Sequence, residues 1–352
     1  MLIETAVRFD RLKNLALQGA NSQVFLARDH QLQAPVVIKE IEKAKIDEAR
    51  YFDEAAKLYA ARHPNVVNVL YASSTPSHVY IAMPQYACSI EAVLRERPLT
   101  VREVVRVGLG FLSGLHHIHV KKLVHFDIKP SNVLLDAAGN AALADFGLCQ
   151  AVNAAGLATP AQVYESHMAP EYLVASTSLS TAADIYQAGL TLYRMCVGTA
   201  LWQAQLDQVI AGLGPDRWLE AVAHGAFPSR DLIPPHIPNR LRTIILRAIQ
   251  PNPDDRFESV MEMMNELARV DEALDWQFTP IAQGFRWEMA NDEQRWTVEL
   301  KGNGPLADII ARRENLATGK VTEIHSLSHT GVKGAKVVKY VQEAIREFTP
   351  GA

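Results

Sequence analysis

The chain has 352 residues, 48% hydrophobic and 21% charged, with a formal charge of −4. Such proportions suit a globular protein with a substantial core, in one large unit or two unequal ones, and give no global attraction to nucleic acid or to an anionic membrane. Cys88, Cys149 and Cys196 are far apart and form no CxxC pair, so neither a disulfide framework nor a zinc site is suggested.

The opening "MLIETAVRFDRLK" carries Glu4, Arg8 and Asp10 and does not read as a secretory signal. The longest charge-poor run after Asp145, "FGLCQAVNAAGLATPAQVY", is broken by Asn, Gln, Gly and Pro and cannot span a membrane. A reducing cytosol is the expected compartment.

Residues 10–40 predict strands, with "NLALQGANSQVFLARD" and "APVVIKEI" rich in Val, Ile, Leu and Phe around Gly19 and Pro35. Residues 45–61 turn to helix formers without Gly or Pro, and "HPNVVNVLYASS" and "HVYIAMPQY" return to strand patterns. From residue 89 the helical period takes over in "SIEAVLRE", "TVREVVRVGLGFLSGLHHIH" and "DIYQAGLTLYRMCVG". "LDQVIAGLG" and "NRLRTIILRAIQPNP" follow, the latter stopped by its prolines, and a helix is expected from Phe257 to Leu274. The tail predicts four strands, "FRWEMA", "RWTVEL", "DIIARREN" and "KVTEIHSLS". A helix then places Val337, Val338, Val341, Ala344, Ile345 and Phe348 on one face. Trp276, Trp287 and Trp296 read as core, or as a docking surface for the tail.

Chemistry concentrates in "LVHFDIKPSNVLLD", which sets Asp127, Lys129 and Asn132 between apolar runs. Alone, that pattern could be a turn. Thirteen residues after Asn132, however, Asp145 stands before Phe146-Gly147 at the end of another apolar strand. Oxygen groups on adjacent loops suit Mg²⁺, and phosphoryl transfer needs such a cation together with a carboxylate that orients the attacking hydroxyl. Upstream, Lys39 closes the apolar "VVIK", where a charge needs a partner; Glu54 in the predicted helix can supply it. Gly19 in "LQGANSQVFLA" offers a turn whose backbone can approach a phosphate.

In their shared order these motifs resemble the eukaryotic-like serine/threonine protein kinases, in a soluble bacterial form. "VVIK" stands for the strand-three lysine, "HFDIKPSN" for the catalytic loop, "DFG" for the metal-binding loop and "APE" for the end of the activation segment. Asp184 of "DIYQAGLTLY" matches the buried aspartate that ties down the catalytic loop, and Arg256 of "PNPDDRF" the partner of Glu171. The resemblance runs over residues 10–272. It implies an α+β, two-lobed fold, with a β-rich lobe at 1–86, a helical lobe at 87–275 and a small four-strand, one-helix module at 280–352.

By the same resemblance the chain transfers the γ-phosphate of Mg·ATP to a protein hydroxyl. Lys39 holds the α- and β-phosphates, Glu54 holds Lys39, Asp127 orients the substrate hydroxyl and Lys129 neutralises the γ-phosphate. Asn132 and Asp145 bind Mg²⁺, while Leu17, Gly19, Ser22 and Val24 form the glycine-loop position. Met83, Gln85 and Tyr86 flank the adenine, with "PQYA" as the hinge. The alternatives are a pseudokinase scaffold and a small-molecule kinase. ATP and a protein substrate are the partners the resemblance implies; the tail, beyond the resemblance, leaves room for a protein partner of its own, and neither a membrane nor nucleic acid is expected.

The chain departs from the family pattern at several points. Of the three loop glycines only Gly19 is present. Phe126 replaces the arginine that grips an activation-loop phosphate, so activity is expected not to depend on that latch, although Thr159, Tyr164 and Ser166 offer hydroxyls. Val163 and Tyr164 stand where a Gly-Thr pair is usual. The histidines of "LHHIHVKKLVH" are not read as a metal site, since helical spacing turns His116 and His117 apart; His125 is expected behind the phenylalanine of "DFG".

Overall fold

The computed structural model describes residues 6–15, 22–45, 62–159, 167–174, 179–302 and 306–349. The helix predicted at 45–61 lies almost wholly outside them.

The first lobe is an antiparallel sheet built from β1 (Phe9–Asn14), β2 (Ser22–Asp29), β3 (Ala34–Glu42), β4 (Tyr71–Ser74) and β5 (His78–Pro84), in the order β1-β2-β3-β5-β4. Side chains alternate across a strand. One face therefore packs Phe25, Ala27, Val36, Ile38 and Ala82. The other turns Val24, Val37, Lys39, Ile81 and Met83 toward the second lobe, since Lys39 pairs with Val24 and Ile81, and Val37 with Met83.

The second lobe begins with β6 (Cys88–Ser89) and α1 (Ile90–Glu96), capped by the Ser89 hydroxyl. α2 (Val101–Val120) opens with a reciprocal cap between Thr100 and Glu103 and buries Val104, Val107, Phe111, Leu115 and Ile118. Its C-terminus delivers the chain to β7 (Leu123–Val124), β8 (Val133–Leu135), β9 (Ala141–Leu143) and β10 (Gln150–Ala151). Helices α3 (Glu171–Val174), α4 (Ala182–Leu213), α5 (Pro215–Ala223), α6 (Asn239–Ala248) and α7 (Val260–Leu267) complete the lobe. α4 breaks at Gly198, whose φ is +77°, and α7 ends seven residues before the expected Leu274.

The tail forms a sheet of six strands rather than four: β11 (Gln277–Ile281), β12 (Gly284–Ala290), β13 (Gln294–Lys301), β14 (Ala307–Asn315), β15 (Lys320–Glu323) and β16 (His329–Val332). The two unforeseen strands contain Pro280 and Gly331, residues that mask a strand pattern. α8 (Ala335–Phe348) packs on this sheet through Val341, Ala344, Ile345 and Phe348, whereas Val338 is 42% exposed. Trp276 and Trp287 are wholly buried in the module's core. Trp287 also reaches the second lobe, its Nε1 donating to Nδ1 of His236 at 3.0 Å. Gln277 donates to the Pro98 carbonyl at 3.1 Å, and Arg102 grips Asp275 with two bonds of 2.6 and 2.8 Å.

Candidate active site

The loop after β7 turns through Phe126, an apolar residue with φ +64° and 1% exposure. Residues with side chains rarely adopt that left-handed conformation, so the backbone must be held from outside. Asp184 at the start of α4 does part of this, its carboxylate accepting the amides of His125 and Phe126 at 2.8 Å each. His119 donates to the same carboxylate at 2.8 Å. The ring of His125 packs edge-on against Phe146, 4.9 Å between centroids.

Asp127, 5% exposed, follows immediately. Nζ of Lys129 lies 2.9 Å from its Oδ1, and Nδ2 of Asn132 donates at 2.8 Å to both its Oδ2 and its carbonyl. With its amide nitrogen committed to Asp127 and only a long 3.5 Å contact from the Ser131 hydroxyl on its Oδ1, Asn132 keeps acceptor capacity for another partner.

Asp145 arrives from the end of β9 with φ +63°, a second left-handed residue in the same small volume. Its Oδ1 accepts from Nζ of Lys39 at 2.9 Å, a contact that joins the two lobes. Burial opposes ionisation of this carboxyl, but the charges of Lys39 and Lys129, with the Lys39 bond and the Gly147 amide, bring it down to about 2. The Asn132 and Asp145 oxygens are the hard donors that Mg²⁺ selects, and two protein ligands are typical when phosphates and water complete the shell. Among the described residues no cluster of three His, Cys, Asp or Glu forms a competing metal site.

Beside this group opens a cavity of 310 Å³ between the lobes. Val24 and Val37 line it from the sheet, Met83 and Tyr86 from the interlobe strand and linker, and Leu134 and Ala144 from the second lobe. Lys39 and Asp145 stand in its wall, so apolar surfaces from both lobes enclose a charged end.

The protein kinase domain family matches residues 14–267, well over half of the chain. The chain belongs to the protein kinase family.

Among relatives of this kinase, a probable CTD kinase subunit alpha homolog of Encephalitozoon cuniculi is 28% identical over 256 residues, covering 68% of this chain and 75% of that protein. Serine/threonine-protein kinase PrkC of Bacillus subtilis is 28% identical over 255 residues, 70% of this chain and 38% of its own length. A probable serine/threonine-protein kinase PknB of Lactococcus lactis is 24% identical over 245 residues, 68% and 38% respectively. The matched part thus spans little more than a third of these two bacterial relatives.

Of the residues singled out from sequence, Lys39, Asp127, Lys129, Asn132 and Asp145 meet at the interlobe cleft, and Val24, Met83 and Tyr86 line the cavity. Gln85 is different: its side chain is exposed between two lining residues, because the linker alternates its direction there. Ser22 begins β2. Leu17, Gly19, Glu54, Tyr164 and Ser166 lie outside the described residues. Sequence reasoning missed the lining residues Leu15, Val37, Leu134 and Ala144. Apolar residues at these positions look like ordinary core, although Val37 sits two residues before Lys39 and hence on its face.

Arg256 secures the end of the activation segment. Its guanidinium donates to both carboxylate oxygens of Glu171, at 2.9 and 2.7 Å.

Proposed function

We propose that this kinase transfers the γ-phosphate of Mg·ATP to serine or threonine hydroxyls of a protein. The observation that carries the reading is the meeting of Lys39 and Asp145, 106 residues apart in the chain, beside Asp127 and at the mouth of an apolar interlobe cavity. That arrangement places cations, oxygen donors and a carboxylate around one point, as transfer of a highly charged group requires.

In this reading the adenine occupies the cavity between Val24, Val37, Met83 and Leu134. Lys39 binds the α- and β-phosphates. Mg²⁺, when bound to Asn132 and Asp145, offsets the phosphate charge. Asp127 accepts a hydrogen bond from the substrate hydroxyl and directs its oxygen at phosphorus, and Lys129 stabilises negative charge on the transferred group. The depressed pKa of Asp145 keeps it ionised for this role throughout the physiological range. Lobes at 1–86 and 87–275 make up the catalytic unit, followed by the accessory module. Among the described residues no helix is long and apolar enough to cross a membrane.

The test uses purified full-length chain, labelled ATP and a cell lysate. Label is expected on serine or threonine of protein, and Asp127→Ala should abolish it while leaving nucleotide binding intact. A folded native chain that binds ATP but labels no protein would support a scaffold instead, and label appearing only in small molecules would support metabolite phosphorylation.

A further inference from the structure

Both backbone groups of Phe126 are held by side chains of α4, and only one of the two holders is Asp184. One residue past the next turn's start, at the i+3 position that shares a helix face, stands Gln187, 2% exposed. Its Nε2 donates to the Phe126 carbonyl at 2.9 Å, and its Oε1 accepts the Ile128 amide at 3.0 Å. One planar carboxamide therefore grips the peptide on each side of Asp127. An amide N–H can only donate and a carbonyl only accept, so this pair of bonds fixes the orientation of the Gln187 amide.

We propose that Gln187 is a positioning residue for Asp127, holding the catalytic loop in its strained, ready conformation from the core of the second lobe. The inference rests on the transferase reading above and adds to it the source of the loop's rigidity. Asp184 fixes the amides of His125 and Phe126, Asn132 fixes the Asp127 carbonyl, and His125 Nδ1 accepts the Asp127 amide at 3.2 Å. Gln187 supplies two further anchors, at the Phe126 carbonyl and the Ile128 amide. Few residue types can replace it. A serine is too short to span both groups, a glutamate carboxylate has no donor, and methionine has the length without the bonds.

Phe126 itself gives the proposal its functional weight. An apolar side chain with 1% exposure offers no charge to a phosphate on the activation segment. Residue 126 therefore cannot couple the loop to such a phosphate, and its backbone is held by α4 instead. Misplacement of a reacting group by a fraction of a bond length lowers turnover more than it lowers substrate binding, and Gln187 does not line the cavity.

The test compares native chain with Gln187→Met and Gln187→Glu, each in full-length form. Turnover, KM for ATP, thermal unfolding and hydrogen exchange at the Ile128 amide are measured together. Gln187→Met is expected to lower kcat on the order of tenfold or more, to leave KM for ATP unchanged, and to speed exchange at Ile128 selectively. Gln187→Glu keeps the acceptor and should retain Ile128 protection while losing the bond to Phe126, with an intermediate kcat. Native kcat in a folded Gln187→Met variant overturns the proposal. So does a loss shared by kcat, KM and exchange along the whole of α4, which describes a damaged core. If the native chain transfers no phosphate, the transferase reading fails separately, and an unprotected Ile128 amide in that native chain would overturn the clamp as well.

Discussion

Replacing Arg256 by methionine should destabilise the second lobe severely. The guanidinium is fully buried and its partner Glu171 is 16% exposed. Besides the two bonds to Glu171, Arg256 donates to the carbonyls of Gln250, Ala182 and Pro251 at 2.7, 2.8 and 2.9 Å, and it lies 4.9 Å from the ring centre of Tyr186. Methionine restores much of the volume but leaves a buried carboxylate without its counter-charge and takes one donor from each of three carbonyls. Removing one member of such a pair costs about 3–5 kcal/mol, a large fraction of the roughly 5–15 kcal/mol that holds a domain together. For a domain of this size that corresponds to a fall in Tm of about 6–20 °C. Urea and thermal unfolding of the native chain, Arg256→Met, Glu171→Leu and the double variant give the full cycle. The double variant should be more stable than the sum of the single losses predicts, because no unpaired charge remains. A loss below about 1 kcal/mol in Arg256→Met, or strict additivity in the cycle, would refute the argument.

Stability should also fall as pH drops below 6.5. Burial holds His125 and His167 below the ordinary histidine value of 6.5 and takes His236 down to about 3. A histidine whose folded pKa lies below its unfolded pKa contributes stability fully above 6.5, and that contribution is lost as the unfolded chain takes up protons the fold refuses. Unfolding free energies at a series of pH values from neutral down to 5 check this; a flat profile contradicts it. At the junction of the tail with the second lobe, Trp287→Phe strands the buried Nδ1 of His236 and should cost about 1–3 kcal/mol. A variant as stable as the native chain in urea would show that the bond contributes nothing. Finally, Thr159→Ala and phosphatase-treated native chain should keep full turnover, since Phe126 cannot read a phosphate. Loss in Thr159→Ala that Thr159→Glu restores would show that a phosphate latch operates by another route.

Much of the site is legible in one dimension because its parts are local. Asp127, Lys129 and Asn132 share one loop, and Asp145 follows an apolar strand; such spacings place polar groups at the same rim of the core wherever the strands lie. Apolar periods likewise announce α2 and the buried run from Ala183 to Val197. Strand alternation determines that Lys39 shares a face with Val37.

What tertiary structure alone decided are the partnerships between segments. Lys39 meets Asp145 across 106 residues, Gln187 reaches back 59 to Ile128, and Trp287 finds His236 on another lobe. Nothing in the composition of α4 distinguishes Gln187 from a solvated glutamine until α4 is packed beneath the catalytic loop. β11 and β16 escaped notice for a related reason: a proline and a glycine weaken their own strand preference, and only pairing with β12 and β14 supplies the missing hydrogen bonds. Local chemistry sets which way a side chain faces, while the packing of the whole chain sets what it faces.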